Sequence, residues 1–190
     1  MKTEEISRIH IKRKKIRLPD YDYTKPGAYF ITVCTQNNEC LFGEIVKDVV
    51  RLNRYGRIVS EEWKKTSQIR TFVELDEFIV MTDHFHGIVI IKEPGTARRA
   101  PTVERFGKPV AGSLSTILRG FKSAVTKRIN VLRSTPGEAV WQRGYYEHVI
   151  RRNEKIKLVR EYIANNPLRW YLGEKKHDMT RDDFFEKDKM

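Results

Sequence analysis

Between Phe78 and Ile91 two apolar runs, Phe78-Ile79-Val80-Met81 and Gly87-Ile88-Val89-Ile90-Ile91, flank the triplet His84-Phe85-His86. The stretch reads as buried strand, and successive side chains of a strand point to opposite faces. His84 and His86 therefore share one face while Phe85 enters the other. Two imidazoles side by side on an apolar sheet are costly unless something pairs them. A metal ion is one such partner, because neutral imidazole is the commonest metal ligand. Backbone carbonyls or the adjacent Asp83 are the alternative, and Asp83 itself either orients an imidazole or shapes the turn.

The rest of the chain alternates strand and helix signals around this core. Ala28 to Cys34, β-branched and aromatic after Pro26-Gly27, predicts a strand, and Leu41 to Val46 a short hairpin arm or extension. Asn53 to Gln68 is helical, Glu74 to Met81 a second strand, and Gly87 to Ile91 a third across a turn near Asp83. Residues 92–110, with Pro94-Gly95, Arg98-Arg99, Pro101 and Gly107-Lys108-Pro109, predict a long irregular loop. Ser113 to Val131 carries an apolar stripe of Leu114, Ile117, Leu118, Phe121, Val125 and Ile129. Trp141 to Arg151 is a further strand, Asn153 to Asn165 a last helix. The order fits a two-layer α+β fold: a ferredoxin-like antiparallel sheet packed by helices, with an additional C-terminal helix. The division expected is a basic arm at 1–18, one domain at 19–172 and a polar tail at 173–190.

Charge narrows the class of partner. The 37 Lys+Arg against 25 Asp+Glu leave a net +12, the footprint of a nucleic-acid binder or of a protein at a membrane surface. No apolar run reaches the length of a membrane span, and the charged N-terminus has no signal-peptide core behind it. Cys34 and Cys40 are too few for a disulfide framework or a cysteine zinc site. The expectation is a cytoplasmic, DNA-associated protein without membrane attachment. Candidate phosphate contacts are Arg13, Lys14 and Lys15 in the arm, and Arg98 and Arg99 in the loop. Lys122, Lys127 and Arg128 lie off the centre of their helix's apolar stripe, and Arg143, Arg151 and Arg152 flank the last strand. Ordinary solvation explains the same charges.

The last helix supplies a second set of chemical groups. Val159, Tyr162, Ile163 and Asn166 follow the i, i+3, i+4, i+7 pattern and share the face that must look toward the sheet. Tyrosine acts as a nucleophile when a base or metal assists it, and an asparagine carbonyl ligates hard cations. A divalent ion held by His84, His86 and Asn166 would keep positions open for a phosphate oxygen, with Tyr162 in reach of the phosphorus. The plainer reading makes Tyr162 a core tyrosine and Asn165-Asn166-Pro167 a helix stop.

These residues resemble the single-tyrosine HUH transposases, specifically the REP-associated tyrosine transposases related to the IS200/IS605 enzymes. His84-Phe85-His86 matches that family's histidine–hydrophobic–histidine motif, and Tyr162-Ile-Ala-Asn-Asn166-Pro its tyrosine helix, where IS200/IS605 enzymes typically carry glutamine at the place of Asn166. Pro26-Gly-Ala-Tyr-Phe-Ile-Thr-Val-Cys-Thr-Gln-Asn, Phe121-Lys-Ser-Ala-Val-Thr and Trp141-Gln-Arg-Gly-Tyr-Tyr-Glu-His-Val-Ile-Arg are also similar, so the likeness spans about residues 17–172. The resemblance implies a Mg2+- or Mn2+-dependent enzyme, monomer or homodimer, acting on single-stranded DNA beside hairpins. Tyr162 would become linked to the 5′ side of the cut, releasing a 3′-hydroxyl, with His84, His86 and Asn166 as metal ligands. Two other readings stand beside it: a non-catalytic hairpin-binding protein on the same fold, and a metal phosphodiesterase using water. Tyr145 or Tyr146 are alternative nucleophiles, and Glu147 and His148 candidate supports of the site or parts of the strand.

Overall fold

The computed structural model describes residues 21–93, 110–151 and 153–173. The expected arm at 1–18, most of the loop after residue 93 and the tail from 174 lie outside these residues, as do Arg13, Lys14, Lys15, Arg98, Arg99 and Arg152. The described elements are β1 (Gly27–Cys34), β2 (Gly43–Val46), β3 (Val49–Leu52), α1 (Arg54–Ile69), β4 (Val73–Val80), β5 (His84–Ile91), α2 (Leu114–Arg133), β6 (Tyr146–Ile150) and α3 (Asn153–Tyr171). β2 and β3 form the hairpin arm. The other four strands make one sheet in the order β4-β5-β1-β6, each neighbour antiparallel. That order and the two crossing helices are the ferredoxin-like arrangement, an α+β fold with α3 added.

The strand alternation sorts the core into two layers. Tyr29, Ile31 and Val33 of β1 and Phe85, Val89 and Ile91 of β5 face α1 and α2, packing with Trp63, Leu118 and Phe121. Trp63 is the hub, its ring centroid 4.7 Å from Phe85 and 5.1 Å from Phe121. Phe30, Ile88 and Ile150 face the opposite way and are covered by Val159 and Ile163 of α3. Helix starts follow ordinary capping chemistry: the Asn53 side chain accepts from the Tyr55 and Gly56 amides, and Ser113 from that of Thr116.

Two expected boundaries move. Trp141 forms only an isolated bridge to Thr35, and β6 begins at Tyr146, because Gly144 turns the chain through φ 103°. The asparagine-proline signal does not stop α3, which continues through Pro167 to Tyr171. A proline inside a helix costs about 3 kcal/mol or more through a lost hydrogen bond and a clash with the carbonyl four residues back. Fully buried Val159 and Ile163, with Asn166 and Pro167 also buried, hold the helix against the sheet despite that cost.

One irregularity matters for the site. The β4–β5 register shifts between Leu75 (opposite Val89) and Phe78 (opposite Gly87), leaving Asp76 and Glu77 together across from Ile88. Such a β-bulge re-aims a side chain. Here Asp76 meets Arg160 of α3 through two bonds, Nε to Oδ1 at 2.9 Å and Nη2 to Oδ2 at 2.6 Å.

Candidate active site

His84 and His86 sit at the start of β5 on the α3 face, both buried, with ring centroids 4.6 Å apart. Register places Cys34 opposite His84 and Thr32 opposite His86 on β1. Each imidazole has its Nδ1 occupied. His84 Nδ1 lies 2.6 Å from Asp83 Oδ1, and His86 Nδ1 lies 2.8 Å from Thr32 Oγ1. Partners at Nδ1 fix ring orientation and direct Nε2 toward any ligand. Asp83 is itself buried and its carbonyl accepts from both the Thr35 amide and hydroxyl, so it serves turn and imidazole together. Burial, with the nearby His84 adding to it, pushes the His86 pKa well below its ordinary value, so this ring is neutral at pH 7.

α3 brings Tyr162 onto the same spot. Its ring centroid is 5.4 Å from that of His86 and 6.0 Å from Phe30, and Phe30 stacks on His86 at 5.4 Å. Asn166, 7% exposed, follows one turn later on the helix. The guanidinium of Arg169 stands over the Tyr162 ring, 5.4 Å from its centroid.

The other sequence candidates distribute elsewhere. Tyr146 lies on the histidine face but across β1 from His86, opposite Thr32. That is two strand spacings away, roughly 10 Å. Tyr145 turns to the other layer, where its hydroxyl donates to Ser115 Oγ at 3.2 Å. His148 shares the α3 face opposite Phe30, whereas Glu147 is buried on the α1/α2 side opposite Ile31. Lys122 straps the segment before β6, its Nζ donating to the carbonyls of Gln142 at 2.8 Å and Gly144 at 2.7 Å. Burial pulls its pKa down to about 8, with Cys34 opposing. Arg128 ties α2 to α1 through Glu61 and Glu62, each at 2.7 Å. Lys127, Arg143 and Arg151 are exposed.

Thr32 and Arg169 escape a sequence reading for different reasons. Thr32 becomes a histidine partner only through the β1–β5 register. Arg169 continues the helical series from Tyr162 at i+7, a signal masked by the proline at 167.

Among the described residues no group of three or more His, Cys, Asp or Glu is placed to hold a metal. The candidate donors are two oriented imidazoles and, one helical turn beyond Tyr162, the buried carboxamide of Asn166, residue types compatible with a divalent ion that keeps other positions for substrate oxygens. No helix among the described residues is long and apolar enough to cross a membrane.

No family model matches the chain. It is 37% identical over 177 residues to an uncharacterized protein of Haemophilus influenzae, covering 90% of this chain and 96% of that one. Among solved structures, a REP-associated tyrosine transposase bound to a REP hairpin superposes with a TM-score of 0.55 at 20% identity, over 79% of this chain and 72% of that one. The two chains share a fold.

Proposed function

We propose that this chain, which belongs to the same family as the Haemophilus influenzae protein, is a single-strand DNA nuclease and strand transferase that uses Tyr162 as nucleophile beside DNA hairpins. The observation that carries this reading is the 5.4 Å approach of the Tyr162 and His86 rings within one chain. The shared fold with a transposase bound to a REP hairpin supports hairpin DNA as the substrate class, as does the net charge of +12.

His84, His86 and Asn166 would hold the divalent ion, Mg2+ or Mn2+. An ion so held would supply Lewis-acid chemistry at the scissile phosphate. Asp83 and Thr32 engage the Nδ1 atoms of the two imidazoles and leave each Nε2 as the ring nitrogen for a ligand. Phe30, against both Tyr162 and His86, walls the site and fixes the ring of the nucleophile. Tyr162 Oη forms a bond to phosphorus while the bond to the 3′ oxygen breaks. The phenolic proton leaves to solvent, and the 3′ oxygen takes a proton from solvent. The phosphotyrosine conserves the energy of the broken diester, so a 3′-hydroxyl can reverse the step without ATP.

The test is incubation of labelled single-stranded DNA, carrying hairpins from beside the gene, with protein and Mg2+ or Mn2+, followed by a denaturing protein gel. The expected result is a metal-dependent covalent band that Tyr162→Phe abolishes. Cleavage without a band, unchanged in Tyr162→Phe, would assign the site to water-dependent hydrolysis. Binding without cleavage across a fair set of hairpins would leave a binding protein.

A further inference from the structure

We infer that Arg169 is a second catalytic residue, whose guanidinium binds the non-bridging oxygens of the scissile phosphate at the Tyr162 hydroxyl; this rests on the function proposed above. Arg169 lies two helical turns beyond Tyr162, about 10 Å along the axis. Helical side chains lean toward the N-terminus, and this long one reaches back until its Cζ stands 5.4 Å from the Tyr162 ring centroid. A guanidinium over a ring is held by its charge and its face, while its hydrogen bonds run from its edge. That edge has the fork geometry that matches two phosphate oxygens.

The electrostatics ask for such a group. Attack on phosphorus concentrates negative charge on the non-bridging oxygens. The other arginine nearby on α3, Arg160, is committed to both carboxylate oxygens of Asp76. On the far layer, Lys122 and Arg128 hold Gln142, Gly144, Glu61 and Glu62. Arg169 is a cation that the fold sets over the ring of Tyr162. It exchanges no proton in the step, because a guanidinium stays charged throughout. The passage of α3 through Pro167 also acquires a role: a helix ending at Asn166 would not carry Arg169 onto this face.

The experiment uses the full chain and a hairpin substrate whose cut site has been mapped from the wild-type adduct. A single methylphosphonate replaces the scissile linkage, removing its charge. Binding is measured in the Tyr162→Phe background with divalent ions chelated, where neither cleavage nor the ion intervenes. The neutral linkage is expected to weaken binding about tenfold or more, and to cost almost nothing once Arg169→Ala is added. With the native tyrosine, Arg169→Ala should slow adduct formation by about 100-fold. Arg169→Lys, which restores charge without the fork, should fall between, and thermal melting checks that both variants fold. Undiminished discrimination in Tyr162→Phe/Arg169→Ala, or adduct formation at the wild-type rate in Arg169→Ala, overturns the inference while leaving the function intact. If the wild type forms no adduct at all, the function itself fails and the inference with it.

Discussion

Gly87 follows directly on the histidine pair, and its missing side chain lets Trp63 close on the strand. A Cβ there would stand 2.9 Å from the Trp63 ring and 2.9 Å from that of Phe85. Gly87→Ala should therefore lower stability by about 1–3 kcal/mol through overpacking, read as a fall in the thermal midpoint. Thr32 makes the subtler residue-scale case. Thr32→Val keeps the shape but removes the oxygen 2.8 Å from His86 Nδ1. Isothermal titration should find Mn2+ bound about tenfold more weakly, with Thr32→Ser close to wild type. An unchanged affinity in Thr32→Val would mean that His86 needs no such partner. Both histidines and their shared face are legible in the sequence, because strand alternation is local. Thr32 is not, since its role exists only once two strands distant in sequence have found their register.

The tyrosine helix is held over the sheet by apolar burial and by the Arg160–Asp76 ion pair. Asp76 is kept below the usual carboxylate range chiefly by the hydrogen bonds from Arg160, with burial opposing and the Glu77 amide assisting. A carboxylate with a depressed folded-state pKa adds stability that is fully present above its unfolded value, about 3.9, and fades as pH falls through the folded one. Arg160→Ala should remove that component. Urea denaturation at pH 7 should give a loss of under about 1 kcal/mol, since Arg160 is 46% exposed and screened by solvent. The loss should shrink toward zero as pH drops below about 4. Equal losses at neutral and strongly acidic pH would argue that the pair acts through packing rather than charge. The helix itself is plain from its i, i+3, i+4 pattern, but its far end is not. Asn165-Asn166-Pro167 carries a strong local stop signal, and only burial against the sheet overrides it. The bulge that turns Asp76 toward Arg160 is equally hidden, because nothing in Leu75-Asp76-Glu77-Phe78 distinguishes it from regular strand.

At the scale of the molecule, histidines and tyrosine meet inside one chain. A mixture of Tyr162→Phe with His84→Ala/His86→Ala should accordingly yield no adduct in the gel assay. Recovery of activity on mixing would mean that the helix is exchanged between chains. The net charge of +12 is also unevenly available, since Arg128, Arg160 and Lys122 are engaged within the fold. Hairpin affinity should fall with salt along a log–log slope well short of the whole positive charge, at about 0.9 per neutralised duplex phosphate.

α3 is at once the carrier of Tyr162 and the cover over Phe30, Ile88 and Ile150. A ribosome makes this segment after every described strand of the sheet, so the histidine pair exists in the nascent chain before Tyr162 does. A nonsense mutation ahead of codon 162 would not leave a quiet, folded binder in the cell. It would leave an open greasy sheet for chaperones and proteases, so the presence of Tyr162 and the survival of the polypeptide are inherited together.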